Sequence, residues 1–179
     1  MALGRLIITL LAALVPPLLL LMAAAAVDTH RLHLYMHDST TGPNPSAMAV
    51  LNGTGPAAQG SRGAGRFGRT VVMDDPLTEG PGPASTALGR VLRGGNHGLG
   101  DGGPAMMLSM NLVLTAGIYN GSTLAVMGRN AVLAPVRELS VVGGAGRFRM
   151  ATGYVLVKTG SWAPAGGDAV LQLDVFVYA

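Results

Sequence analysis

Cysteine is absent from the 179-residue chain, which excludes disulfide staples and any metal centre built on thiolates. A domain of about 150 residues can bury enough apolar surface to do without them. Aromatic residues are scarce, at 4%. The basic residues Arg62, Arg66, Arg69, Arg90, Arg93, Arg129, Arg137, Arg147 and Arg149 are scattered and not interleaved with aromatics. A nucleic-acid partner is therefore not expected, because base stacking and phosphate neutralisation need the two together. Charge is sparse as well: the formal net charge is +3, and Arg5 contributes one of those charges from outside the folding domain. No repeat of 20 to 50 residues is present, and no stretch carries the periodicity of an amphipathic helix.

There is one long apolar run, Leu6 to Met22, which follows a short basic start and precedes the small residues Ala23 to Ala26. This is the pattern of a secretory signal peptide over residues 1–26, with a folded domain over 27–179. The Pro16–Pro17 pair interrupts the run, so no stable membrane span is expected. Two sequons, Asn52-Gly53-Thr54 and Asn120-Gly121-Ser122, fit an extracellular destination as glycosylation sites, whereas Asn44-Pro45-Ser46 is disqualified by its proline.

Beyond residue 27 the chain alternates apolar and polar residues in short runs bounded by Gly, Pro and Asn, the pattern of half-buried strands. The runs are 31–38, 47–52, 67–73, 105–116, 122–128, 138–142, 147–158 and 169–178. Eight strands at this spacing predict an all-β antiparallel barrel or sandwich. The Gly-rich stretches 52–65 and 94–104 read as loops.

Candidate chemistry is thin. His30, His33 and His37 do not form a metal set: on a strand His33 and His37 stand about 13 Å apart at about 3.3 Å per residue, and His30 faces the other way. No metal site is expected. The glycine clusters 95–100 and 143–146 lack the following helix and the Lys-Ser/Thr of a phosphate loop. No nucleophile elbow is present. Asp74-Asp75 before Pro76 reads as a strand end entering a turn. Asp38 shares a face with Leu32, Leu34 and Met36. If that face lines the interior, the acid is desolvated, with a raised pKa suited to proton transfer; if the strand has already ended, Asp38 caps a turn with Ser39, Thr40 and Thr41.

Several motifs carry a family resemblance: Leu34-Tyr35-Met36-His37-Asp38, Gly42-Pro43-Asn44-Pro45, Phe67-Gly68, the run from Val71 to Gly80, Gly89-Arg90, the run from Asn120 to Leu124, Gly128-Arg129-Asn130, Val136-Arg137-Glu138-Leu139, and the run from Val141 to Phe148. In this order they resemble the plant dirigent proteins across nearly the whole domain. The resemblance implies an eight-stranded antiparallel β-barrel related to allene oxide cyclase, assembled as a homo-oligomer, a trimer or dimer, with a pocket at one barrel mouth.

It also implies a secreted, apoplastic, non-oxidative protein that needs no cofactor. Such a protein binds phenoxy radicals of monolignols such as coniferyl alcohol, made by a separate laccase or peroxidase, and directs their stereoselective coupling to lignan-type products. Asp38 and Arg137 match the family's catalytic aspartate and arginine. Asn130 stands where lignan-forming members carry a second aspartate; its amide can hydrogen-bond but cannot move a proton at neutral pH. Leu92, Arg93, Gly94 and Gly95 replace the pocket-loop aromatics, and Thr152 replaces an arginine, which implies a different phenolic. Two other readings stay open: a cyclase or dehydratase of the same fold acting on a phenolic quinone methide, and a non-catalytic defence or cell-wall binding protein.

Overall fold

The computed structural model describes residues 27–56, 66–82, 84–100, 103–163 and 167–179. The expected signal segment 1–26 lies outside them. Among the described residues the strands are β1 (Thr29–Asp38), β2 (Ala47–Asn52), β3 (Arg69–Thr78), β4 (Ala87–Gly100), β5 (Gly103–Leu114), β6 (Thr123–Asn130), β7 (Arg137–Ala145), β8 (Thr152–Trp162) and β9 (Ala169–Tyr178). Every pairing is antiparallel, in the order β1-β9-β8-β7-β6-β5-β4-β3-β2, and β1 also pairs with β3 through Tyr35 with Thr78 and Met36 with Leu77. That last contact closes an eight-stranded barrel. Closure removes the free sheet edges that an open sheet would leave for aggregation.

Strand β2 continues β1 along the same edge of β3 after a break at residues 39–46, where the Asp74 amide donates to the Ser46 carbonyl. The break explains how a proline fits inside β3: Pro76 lies opposite Arg90 on the β4 side, and its other edge faces the gap between β1 and β2, where no ladder donor is needed.

Alternation sends one face of each strand inward. Leu32, Leu34 and Met36 of β1, Leu108, Met110, Leu112 and Leu114 of β5, and Leu171, Leu173, Val175 and Val177 of β9 meet in one continuous core. Each such side chain contributes about 1.5–3 kcal/mol by leaving water, and together they fill the barrel. One end is stoppered by Phe148, which is fully buried and packs against Tyr119 and His30 at centroid distances of 5.0 and 5.4 Å. The other end, where β1, β6 and β8 finish and β3, β7 and β9 begin, is polar.

Three expectations are corrected. Residues 94–100, read as part of a Gly-rich loop, belong to β4, which pairs with β3 on one side and β5 on the other. Gly94 and Gly95 make no turn there, and close approach governs the strand's earlier Gly89, where a Cβ would sit 1.9 Å from the Val113 carbonyl oxygen. The run 147–158 is not one strand, because residues 146–148 form a 3-10 turn and Met150 adopts φ 63°, a left-handed conformation that stops extended pairing until Thr152. Asp74-Asp75 is not a strand end; β3 runs on through both to Thr78.

Candidate active site at the polar barrel mouth

The polar end is built by extending the inward faces of the strands. On β1 the face that carries Leu34 and Met36 ends in Asp38. On β3 the face of Val71 and Met73 continues to Asp75 and Leu77, so period 2 places a carboxyl among apolar neighbours. On β4 the face of Val91 continues to Arg93. Residue Asn130 closes the inward face of β6 and Arg137 opens that of β7, next to Leu139 and Val141. All but Asp38 are at least nine-tenths buried, and the Asp38 side chain is 18% exposed.

Arg93 ties the acids together. Its Nε donates to Asp75 Oδ2 at 2.7 Å and its Nη2 donates to Asp38 Oδ2. The Asp75 and Arg93 side chains are 0% and 3% exposed, so this pair is sealed from solvent. The other oxygen of Asp75 accepts from the Ser46 hydroxyl at 2.6 Å, which leaves that carboxylate fully engaged. Burial nevertheless pushes the Asp75 pKa up, against the opposing pull of Arg93 and Ser46. Arg137 sits near enough for its neighbour's charge to act on it: burial first, and then the Arg93 guanidinium, push its pKa down. Its Nε and Nη1 donate to the carbonyls of Val157 and Val132, at 3.3 and 3.2 Å.

Among the described residues, three buried side-chain atoms have no hydrogen-bond partner: Asp38 Oδ1, Asn130 Oδ1 and Arg137 Nη2. Leaving a buried polar atom unmade costs about 1–3 kcal/mol, more for charged groups. Three at one mouth, two acceptors and one donor, form a template for a ligand with complementary groups. Outside this mouth, Asp38 also lines a surface cleft of about 360 Å³ with His37, Ser161, Trp162 and Asp168.

The three residues expected to form the site, Asp38, Arg137 and Asn130, are thus brought to one mouth. Asp38 is inward-facing and does not merely cap the turn; Ser39 and Thr41 hydrogen-bond without it. Sequence reasoning missed Asp75 and Arg93. The signal was present in the unbroken alternation Val71, Met73, Asp75, Leu77, which the Asp-Asp-Pro triplet disguised as a turn. Asn52 and Asn120 are both exposed, one at the end of β2 and the other in the turn before β6.

The histidines go separate ways. His33 Nδ1 lies 2.7 Å from Asp174 and its Nε2 3.1 Å from the Tyr35 hydroxyl, while His37 meets Thr78. Among the described residues no group of three metal-ligating side chains occurs, and no helix is long and apolar enough to cross a membrane.

Comparison with known proteins gives this geometry a lineage. The family model for dirigent-like proteins matches residues 29–178. The chain is 41% identical over 150 residues to pterocarpan synthase 1 of Glycine max, spanning 83% of this chain and 77% of that one. It is also 41% identical over 150 residues to dirigent protein 1 of Arabidopsis thaliana, with 84% and 78% covered. Among solved structures, a pterocarpan synthase dirigent protein superposes with a TM-score of 0.75 at 36% identity, covering 84% of this chain and 95% of that chain. The barrel, its polar mouth and these matches together make the chain a member of the dirigent-like protein family.

Proposed function

We propose that the polar mouth binds a phenolic quinone methide, or the benzylic alcohol that loses water to form it, and directs stereoselective ring closure. The observation that carries this reading is the set of unpartnered atoms, Asp38 Oδ1, Asn130 Oδ1 and Arg137 Nη2, buried at one end of the barrel. Relatives named pterocarpan synthase, both in sequence and among solved structures, support it.

In this reading Arg137 Nη2 donates to the quinone methide carbonyl. When a ligand hydroxyl attacks the exocyclic carbon, a C–O bond forms, the ring rearomatises and the carbonyl oxygen becomes a phenolate, so the guanidinium binds the developing charge more strongly than the starting carbonyl. Asp38 Oδ1 accepts the proton of the attacking hydroxyl, which then passes to the phenolate. Asn130 Oδ1 accepts from a second hydroxyl and fixes the ring face. Neither electrons nor a redox group are required, because the reaction is an addition within one closed-shell molecule. The test is to incubate the purified protein with such a racemic alcohol, with no oxidant, and to follow the ring-closed product by chiral chromatography. Optically enriched product formed faster than the spontaneous reaction is expected; a racemic product at the background rate rejects the reading.

A second reading draws on the relatives named dirigent proteins and on the thioether-rich wall of Met73 and Met106 near the mouth. The same groups would orient two phenoxy radicals, such as those a separate laccase or peroxidase makes from coniferyl alcohol, for lignan-type coupling. An orientation preference of about 1.4 kcal/mol suffices for a tenfold bias. This reading requires the oxidase for any product to form. Secretion to the apoplast, glycosylation at Asn52 and Asn120, and assembly as a homo-oligomer belong to the same proposal. The last is supported by the outward row in which Met48 faces Val72 and Ser109 faces Met127, with Leu92 beside it; the four apolar side chains are exposed.

A further inference from the structure

Among the described residues the barrel mouth holds two carboxyls and two guanidiniums, but they are not shared evenly. Arg93 engages both Asp38 and Asp75, and Asp75 spends its remaining oxygen on Ser46. Among the described residues Arg137 has no carboxylate partner. Its contacts are two backbone carbonyls, its Nη2 is buried with none, and its nearest charged influence is the like charge of Arg93. A buried guanidinium with no counter-charge among the described residues is costly unless something supplies one.

We propose that Arg93, by taking up both aspartates, sets the specificity of the pocket for a phenolic ligand carrying an anionic oxygen, a carboxylate or a phenolate, that pairs with Arg137. This rests on the reading of the mouth as a phenolic site and names the charge state that the site selects. A carboxylate against Arg137 makes a charge-assisted hydrogen bond from Nη2, the group now without an acceptor. A neutral ligand of the same shape leaves the guanidinium with only its carbonyls, and a site built for a charged partner discriminates strongly against the analogue that lacks it. Arg93 is a positioning residue here: with it gone, Asp38 is released from its ion pair and can supply the counter-charge of Arg137 itself, competing with an anionic ligand.

Isothermal titration at neutral pH with ferulate and coniferyl alcohol, which share a ring and differ at a carboxylate against a hydroxymethyl, tests this on the intact protein. Ferulate is expected to bind at least tenfold more tightly. Arg137→Gln should bring the two to within about twofold of each other, and Arg137→Lys should restore part of the difference. Arg93→Gln should reverse the preference; if that variant fails to fold, the Arg137 pair of variants decides alone. Titration with 4-nitrophenol above and below its own ionisation separates the sources. Tightening on ionisation extends the site to phenolates, and ferulate preference without it restricts the site to carboxylates. Equal affinity of the wild-type protein for ferulate and coniferyl alcohol, or a ferulate preference that survives Arg137→Gln, overturns the proposal. Oxidant-free ring closure with no ferulate preference would overturn this inference alone, whereas Arg137-dependent ferulate binding without ring closure would overturn the reaction alone.

Discussion

Arg93 and Asp75 face each other diagonally across the β3–β4 ladder, Nε to Oδ2 at 2.7 Å, with both side chains shut off from solvent. An ion pair this deep is costly to create and more costly to break on one side, since a lone buried charge remains. Arg93→Met, which strands two carboxyls, is expected to destabilise the fold by about 3–5 kcal/mol. The double variant Arg93→Met/Asp75→Asn should recover a large part of that loss. Urea denaturation of the wild type, both single variants and the double variant gives the coupling directly; strictly additive effects would show that the pair does not act as a unit.

The same pair shows where sequence reasoning stopped. Alternation put Asp38 on one face with Leu32, Leu34 and Met36 but left open whether the strand had already ended; the structure carries β1 through Asp38 with that face turned inward. It failed at β4, because Gly94 and Gly95, with the Gly-rich residues after them, look like a loop until β3 and β5 are in place on either side. It failed at Asp75 because Asp-Asp-Pro is a turn signature wherever a strand has no break along its edge, and the gap between β1 and β2 is a tertiary feature. Arg93 was visible only as a departure from a family pattern, and its reach to two acids depends on three strands meeting.

Gly153 has φ +142°, and a Cβ there would lie 2.0 Å from the Phe176 carbonyl oxygen on β9. Gly153→Ala must therefore move backbone at the start of β8, and a loss of roughly 3 kcal/mol is expected from strain at a special φ. Thermal unfolding followed by circular dichroism checks it. An unchanged melting temperature would mean that the β8–β9 ladder yields more readily than its geometry implies.

Asp174 on the outer face of β9 has its pKa held down, chiefly by the hydrogen bond from His33 and then by Gln172. A folded pKa below the unfolded value of about 4 means the unfolded chain binds the proton more readily. The stabilisation is therefore present above that value and is lost as pH falls through the folded pKa. Asp174→Asn is expected to cost about 0.5–1 kcal/mol at pH 6, since the His33 partner is partly exposed, and the difference from wild type should shrink to nothing at about pH 2. Urea midpoints across that range measure it.

Leu92→Glu/Met127→Glu places two charges in the exposed apolar row on the outside of the barrel. Sedimentation velocity is expected to show an oligomer for the wild type and monomer for the variant, with the barrel intact by circular dichroism. A wild type that sediments as a monomer would remove that row as an assembly surface.

The central claim is that the three unpartnered atoms of the mouth are where the ligand goes. A crystal structure of the protein with a stable phenolic ketone, chosen because it mimics the quinone methide carbonyl and cannot react, tests it most directly. The account predicts the ketone oxygen within hydrogen-bond reach of Arg137 Nη2, and ligand hydroxyls on Asp38 Oδ1 and Asn130 Oδ1. A ligand seated only in the outer cleft between His37 and Trp162, with those three atoms still unpaired, would contradict it.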